Sequence, residues 1–290
     1  MAVDEAPAAT PAEPSPAPAA GHGRAGRDLP VAIAVGLGLG ALVLLTLFFA
    51  RPWFQLIIVL AVGIGLVELR DALGTVRIRP PLVPLLAGAV AMPVAAYADG
   101  AEALVVALLL TVSAIVAWRL VEGPVGYLPD VAAGVLAAVY VPFCAGFCAL
   151  LVAPSDGARR VIIFIAAVVC SDVGGYAAGV LWGRHRLAPL VSPKKSWEGL
   201  AGSAVTCMVA GGIMLPTMLG GAVWQGVVYG LAVVASATVG DLGESMVKRD
   251  LGIKDMGRLL PGHGGLMDRL DSLLPTAPVA WLLLVWFVPS

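Results

Sequence analysis

AEALVVALLLTVSAIVAW, residues 101–118, carries one charged side chain, Glu102, in an otherwise unbroken apolar run. Its length is that of a helix crossing the hydrocarbon core of a bilayer. Its apolar residues come as a run, without the spacing of a helix half covered by water. Comparable runs recur at about 31–50, 53–69, 82–98, 130–153, 161–182, 199–219, 223–247 and 264–288, and Pro52, Pro80 and Pro81 punctuate the edges of the second and third. The pattern predicts an all-α, polytopic transmembrane helical bundle of about nine spans. Composition agrees: 59% of the 290 residues are hydrophobic, 13% are charged, and mean hydropathy is +0.93. A water-soluble domain of this length needs more charge to cover its surface.

Three regions follow. Residues 1–29 are rich in Ala and Pro and cannot bury a core, so they read as a disordered cytoplasmic tail. Residues 30–158 hold about five spans, and 159–290 hold about four with nearly all the polar motifs. Cys144, Cys148, Cys170 and Cys207 lie in apolar stretches without Cys-x-x-Cys spacing and read as packing residues. The net charge of −1 gives no argument for a nucleic-acid partner, and none is expected. The Ala/Gly/Val/Arg bias suggests a GC-rich bacterial genome, hence a multi-pass protein of the bacterial inner (cytoplasmic) membrane.

The cations set the orientation. With nine spans and a cytoplasmic N-terminus, only Arg51, Arg159 and Arg160 of the 18 lysines and arginines face outward. That bias predicts an N-in, C-out topology. The last two cytoplasmic loops hold more cations than topology needs, interleaved with acids, which marks a site facing the cytoplasm.

The densest stretch is SMVKRDLGIKDMGRLLPGHGGLMDRLD, residues 245–271. Asp241, Ser245 and Lys248 stand at i, i+4 and i+7 and line one helical face. Asp268 and Asp271 share a face near the start of the last span. A carboxylate inside a bilayer costs about 2.5–3.5 kcal/mol and is usually functional. Three converging carboxylates call for neutralisation, and hard divalent cations such as Mg²⁺ take carboxylate and phosphate oxygens. Between the acids lie Gly264 and Gly265, where backbone can approach a ligand, after His263. Lys248, Arg249, Lys254 and Arg258 supply positive charge suited to phosphate. Upstream, Asp172 falls inside an apolar run and should face a polar cavity or partner. Pro189 and Pro193 hold the following loop out of helix, presenting Lys194 and Lys195 to a polyphosphate.

These residues resemble the signature of the phosphatidate cytidylyltransferases. Ser245, Lys248-Arg249, Lys254-Asp255, His263-Gly264-Gly265, Asp268-Arg269 and Asp271 stand at that family's spacing. Ser171-Asp172 through Tyr176, and Ser192 through Gly199, resemble its second block. There Val173 replaces a common Thr and Gly175 a common Ala. The resemblance is clear over roughly 160–288; upstream it is one of hydropathy. It implies transfer of CMP from CTP to phosphatidate, giving CDP-diacylglycerol and pyrophosphate. It also implies Mg²⁺, room for a second cation such as K⁺, a homodimer, and contact with membrane lipid. Asp241, Asp268 and Asp271 are then expected to hold metal, with Lys248 beside them in catalysis. Ser245, Arg249, Lys254, His263, Gly264, Gly265, Arg269, Asp172, Lys194 and Lys195 are expected to contact substrate. Two other activities compete: a CTP-dependent polyprenol kinase, which would release CDP, and an ion-coupled secondary transporter, which would carry its acids on broken helices near the midplane.

Overall fold

The computed structural model describes residues 29–49, 51–257 and 264–289. The N-terminal tail therefore lies outside the described residues, apart from Leu29. The chain is mainly helical. The first half comprises α1 (Leu29–Phe49), α2 (Arg51–Gly74), α3 (Leu82–Glu122), α4 (Tyr127–Ala138) and α5 (Cys144–Val152). The second comprises α6 (Gly157–Trp182), α7 (Trp197–Leu219), α8 (Val223–Asp250), α9 (Met267–Leu270) and α10 (Leu273–Phe287). Among the described residues, six helical segments are long and apolar enough to cross a membrane: Leu82–Glu122, Tyr127–Val152, Gly157–Trp182, Trp197–Leu219, Val223–Asp250 and Met267–Phe287.

Several breaks have local causes. The 41-residue α3 leaves helical geometry at Gly100 (φ 83, ψ −162), so it is two arms joined where a side chain would be strained. These arms coincide with the runs at 82–98 and 101–118. Between α4 and α5, the backbone widens into a π-helical turn, Val139–Phe143, containing Pro142. Proline cannot donate the usual helical hydrogen bond, and a wider turn absorbs the mismatch. The reading as all-α misses one feature: β1 (Arg186–Ala188) and β2 (Ser192–Ser196) form an antiparallel hairpin between α6 and α7.

Helices α6, α7 and α8 pack through small residues. A methyl added at Gly211 would strike the Gly226 backbone, and one at Gly230 the Cys207 backbone. Close approach lets side chains bond across: Ser203 Oγ donates to the Ser171 carbonyl at 2.6 Å and Thr206 Oγ1 to the Cys170 carbonyl at 2.9 Å. Such contacts hold helices together where lipid supplies no hydrophobic drive. The four cysteines are free. Large apolar side chains such as Leu109, Leu110 and Leu120 point outward, as a lipid-facing surface requires.

The three arginines read as outward-facing gather at one end of the bundle, bound to backbone carbonyls. Arg51 donates to Pro154 (3.0 Å) and Ser155 (2.7 Å), and Arg159 to Met218 (3.4 Å). Arg160, 2% exposed, reaches Leu284 (3.2 Å) and Val288 (2.7 Å) while pairing with Asp156 (2.9 Å). The Pro154 and Leu284 carbonyls also accept a backbone N–H, from Gly157 and Val288, so there the arginines fill remaining lone pairs; a cation at a helix C-terminal end also complements the helix dipole. These three exceptions to the charge bias thus each have a packing role.

Candidate active site

At the opposite end, α6, the hairpin, α7, α8 and the start of α10 enclose a cavity of about 540 Å³. Asp172 stands on its α6 wall, Arg186, Lys194 and Lys195 on the hairpin, Asp241 on α8, and Ser272 at the foot of α10. The hairpin is pinned at its base. Ser196 caps α7, its Oγ accepting from Gly199 N (3.1 Å), and Trp197 N donates to the His185 carbonyl (3.0 Å). Glu198, in the first turn of α7, accepts from the backbone N–H groups of Arg184 (3.1 Å) and His185 (3.2 Å). That clamp aims Lys195 across the cavity, where it forms an ion pair with Asp241. Both partners are partly exposed, at 26% and 35% of their side chains. Ser245 Oγ approaches the same carboxylate at 3.4 Å.

Next to the cavity, a second polar group is closed. Lys248, one turn beyond Ser245, bonds Glu244 Oε1 (3.1 Å) and Asp268 Oδ1 (2.9 Å). The other oxygen of Asp268 accepts from Met256 N and Gly265 N, both at 2.9 Å. Glu68, from α2, accepts from Met267 N at 2.8 Å. The Glu244 and Asp268 side chains are 1% and 5% exposed. Four carboxylate and ammonium groups thereby stitch Met256, Gly265 and Met267 onto α2 and α8. Gly264 adopts φ 79, and Gly265 lies so close to Glu68 Oε2 and Gly257 N that a methyl would overlap both. The two glycines are used here to bring backbone to an acid of the protein itself.

The expected residues are therefore divided. Asp172, Lys194, Lys195 and Asp241 share the cavity, with Ser245 beside it. Lys248 and Asp268 belong to the closed group. Asp271 lies where α8 crosses the end of α9: its carbonyl abuts Gly240 and accepts from the Tyr140 hydroxyl at 3.3 Å. Its carboxylate accepts from Ser272 N at 2.7 Å. Arg249 reaches back to the Val191 carbonyl (3.3 Å), tying α8 to the hairpin. Lys254 and Arg269 are exposed. His263 and Arg258 lie outside the described residues.

Among the described residues, no three His, Cys, Asp or Glu side chains form a ready metal cluster. Yet each acid expected at a metal already meets a donor. Lys195 neutralises Asp241, and Lys248 neutralises Asp268, so the oxygens are arranged for positive charge. Two acids escaped the sequence reading, Glu68 and Glu244. Glu244 could have been found: it stands four residues before Lys248, the spacing of a helical ion pair. Glu68 offered only its place in an apolar span.

Comparison with known proteins gives a consistent picture. A model of the cytidylyltransferase family matches residues 30–287. A phosphatidate cytidylyltransferase of Mycobacterium leprae is 58% identical over 159 residues, covering 54% of this chain and 51% of that protein. Phosphatidate cytidylyltransferases of Mycobacterium bovis and Mycobacterium tuberculosis are each 42% identical over 256 residues. Those matches cover 84% of this chain, with 83% of the first protein and 78% of the second.

Proposed function

This chain belongs to the cytidylyltransferase family, and from that membership we infer that it makes CDP-diacylglycerol and pyrophosphate from CTP and phosphatidate. A phosphate oxygen of phosphatidate attacks the α-phosphorus of CTP. The bond from that phosphorus to the bridging oxygen breaks, and the electron pair leaves with pyrophosphate. The nucleophile is already anionic, so the barrier lies in bringing two polyanions together. Positioning and charge neutralisation suffice in principle.

The single observation that carries this reading is the cavity that holds Arg186, Lys194 and Lys195 against Asp172 and Asp241. The three cations suit the triphosphate. Lys195 would exchange Asp241 for a phosphate oxygen when CTP enters. Ser245 and Arg249 hold the α8 side of the site, the exposed Lys254 and Arg269 are assigned to substrate beyond it, and His263 is assigned to substrate by its place in the motif alone. Gly264 and Gly265 shape the loop beside them.

Mg²⁺ belongs to the same proposal. Asp241 and Asp271, flanking the α8–α9 crossing, would hold it, with Asp268 completing the acidic set while still paired with Lys248. The ion would supply neutralisation of phosphate charge. A second cation such as K⁺ would share these acids. In this reading the chain sits in the bacterial inner membrane with about nine spans, N-in and C-out. The cavity faces the cytoplasm, from which CTP comes, while phosphatidate comes from the lipid. The placement of all three outward arginines on carbonyls favours that orientation. Assembly as a homodimer is part of the same proposal.

The test is turnover by purified protein with CTP, phosphatidate and Mg²⁺, with ATP, GTP and UTP as controls. Pyrophosphate and CDP-diacylglycerol should appear together, and chelation should stop both. Release of CDP with phosphorylated lipid would mean a kinase. Lack of any incorporation of labelled CTP into lipid would defeat the reading.

A further inference from the structure

A second cavity, of about 660 Å³, lies where α2 ends, α3 begins and ends, and α4 begins. It shares no lining residue with the active-site cavity. Arg70, Arg77 and Arg79 line it, together with the buried Arg119. Its two acids are engaged: Asp130 pairs with Arg119 at 3.0 Å and accepts from Arg79 N at 2.6 Å, and Glu122 pairs with Arg119. Arg70 spends one donor on the Pro80 carbonyl at 3.3 Å. Among the described residues, the side chains of Arg77 and Arg79 meet no acid, and both are exposed. The N-terminus of α3 opens into the same space without a side-chain cap, so its free N–H groups add to the positive field.

The rim has the opposite character. Val83, Trp118 and Val125 line the cavity and are 58%, 42% and 90% exposed. Tryptophan beside arginine is the composition of a membrane–water boundary. Cations backed by apolar side chains match an amphiphile, with an anionic head and a hydrocarbon body. A small free anion would use the arginines and leave the rim idle. The site also lies on the active-site face of the bundle, because Glu68, two residues before Arg70, contacts Met267.

We propose that this pocket binds the phosphate headgroup of an anionic phospholipid, with the acyl chains passing over Val83, Trp118 and Val125. The inference does not rest on the reaction assigned above. Basic pockets between membrane helices on the cytoplasmic side are suited to such headgroups.

The full chain, purified in detergent, is titrated with phosphatidylglycerol, phosphatidylcholine and inorganic phosphate, and retained lipid is read by native mass spectrometry. Phosphatidylglycerol should be retained in preference to phosphatidylcholine, and inorganic phosphate should not compete it away at equal concentration. The double variant Arg77→Gln/Arg79→Gln should weaken phosphatidylglycerol binding by about thirtyfold while turnover in phosphatidylcholine micelles stays at the parent level. Arg184→Gln, an exposed cation elsewhere on that face, should weaken it by less than threefold. Equal retention of phosphatidylglycerol by parent and double variant overturns the proposal. So does an equal loss in Arg184→Gln, which would mean diffuse surface charge. Full competition by inorganic phosphate would reduce the pocket to a plain anion site and also defeat it.

Discussion

Lys195–Asp241 and Lys248–Asp268 are both lysine–aspartate pairs, on neighbouring parts of one site, and they do different work. The first bridges an open cavity with both partners partly exposed. The second is buried, shares its lysine with Glu244, and receives two backbone N–H groups. An exposed pair contributes little to stability, at most about 1 kcal/mol, and can be traded for a ligand. A buried pair stripped of one partner leaves an uncompensated charge, costing about 3–5 kcal/mol. One pair is thus available to substrate, while the other holds the frame.

Removing the shared lysine separates the two roles most directly. Lys248→Met should strand Glu244 and Asp268, and lower stability by about 3–5 kcal/mol, seen as a large drop in the thermal unfolding midpoint in detergent. Activity should fall with it. An unchanged midpoint with lost activity would move Lys248 from the frame to the substrate.

The mirror experiment is Asp241→Asn. Turnover should fall about a hundredfold or more, as for loss of a preorganised charge at a reacting centre. The midpoint should move little, because the pair with Lys195 is partly exposed. A protein that fails to fold after this change would erase the distinction drawn between the two pairs.

How far this division could be read from sequence depends on whether a relation runs along a helix or between helices. Apolar runs announced membrane helices, and the step of four residues put Ser245 beside Asp241 on α8. The same step should have revealed Glu244 with Lys248. Nothing along the chain says that Lys248 turns toward Asp268, twenty residues on, while Lys195 comes from another loop to Asp241. Those choices are made by the α6–α7–α8 crossings and by the Glu198 clamp on the hairpin. Arg160 teaches the same lesson: counted as a topological charge, it is buried at the end of α10 because the tertiary fold brings carbonyls to it. Glu68 gives no signal along the chain, since its partner is the Met267 amide, distant in sequence.

Glu68 contributes to the frame through a single backbone hydrogen bond, and its loss has an intermediate effect. Glu68→Ala leaves the buried Met267 N–H without an acceptor, costing about 2 kcal/mol. Glu68→Gln keeps a carbonyl oxygen for that bond and should recover most of the midpoint. If the two variants were equally damaged, the negative charge would be the essential feature, and the hydrogen bond to Met267 would not.

The smallest effect is expected at Lys194. It lies on the same cavity wall as Lys195 but is exposed and faces no acid among the described residues. Its ammonium can meet CTP on arrival yet has no partner that fixes it against the reacting phosphorus. Such a group binds substrate and transition state about equally, which changes KM and leaves kcat alone. Lys194→Gln should therefore raise KM for CTP about threefold, near the value of a screened surface contact. Added salt should raise KM in the parent more than in the variant, because the variant has already lost part of the screened attraction. A drop in kcat comparable to that of Asp241→Asn would place Lys194 on charge that develops only during transfer. Exposure would then be a poor guide to which cations on this wall act in the chemical step.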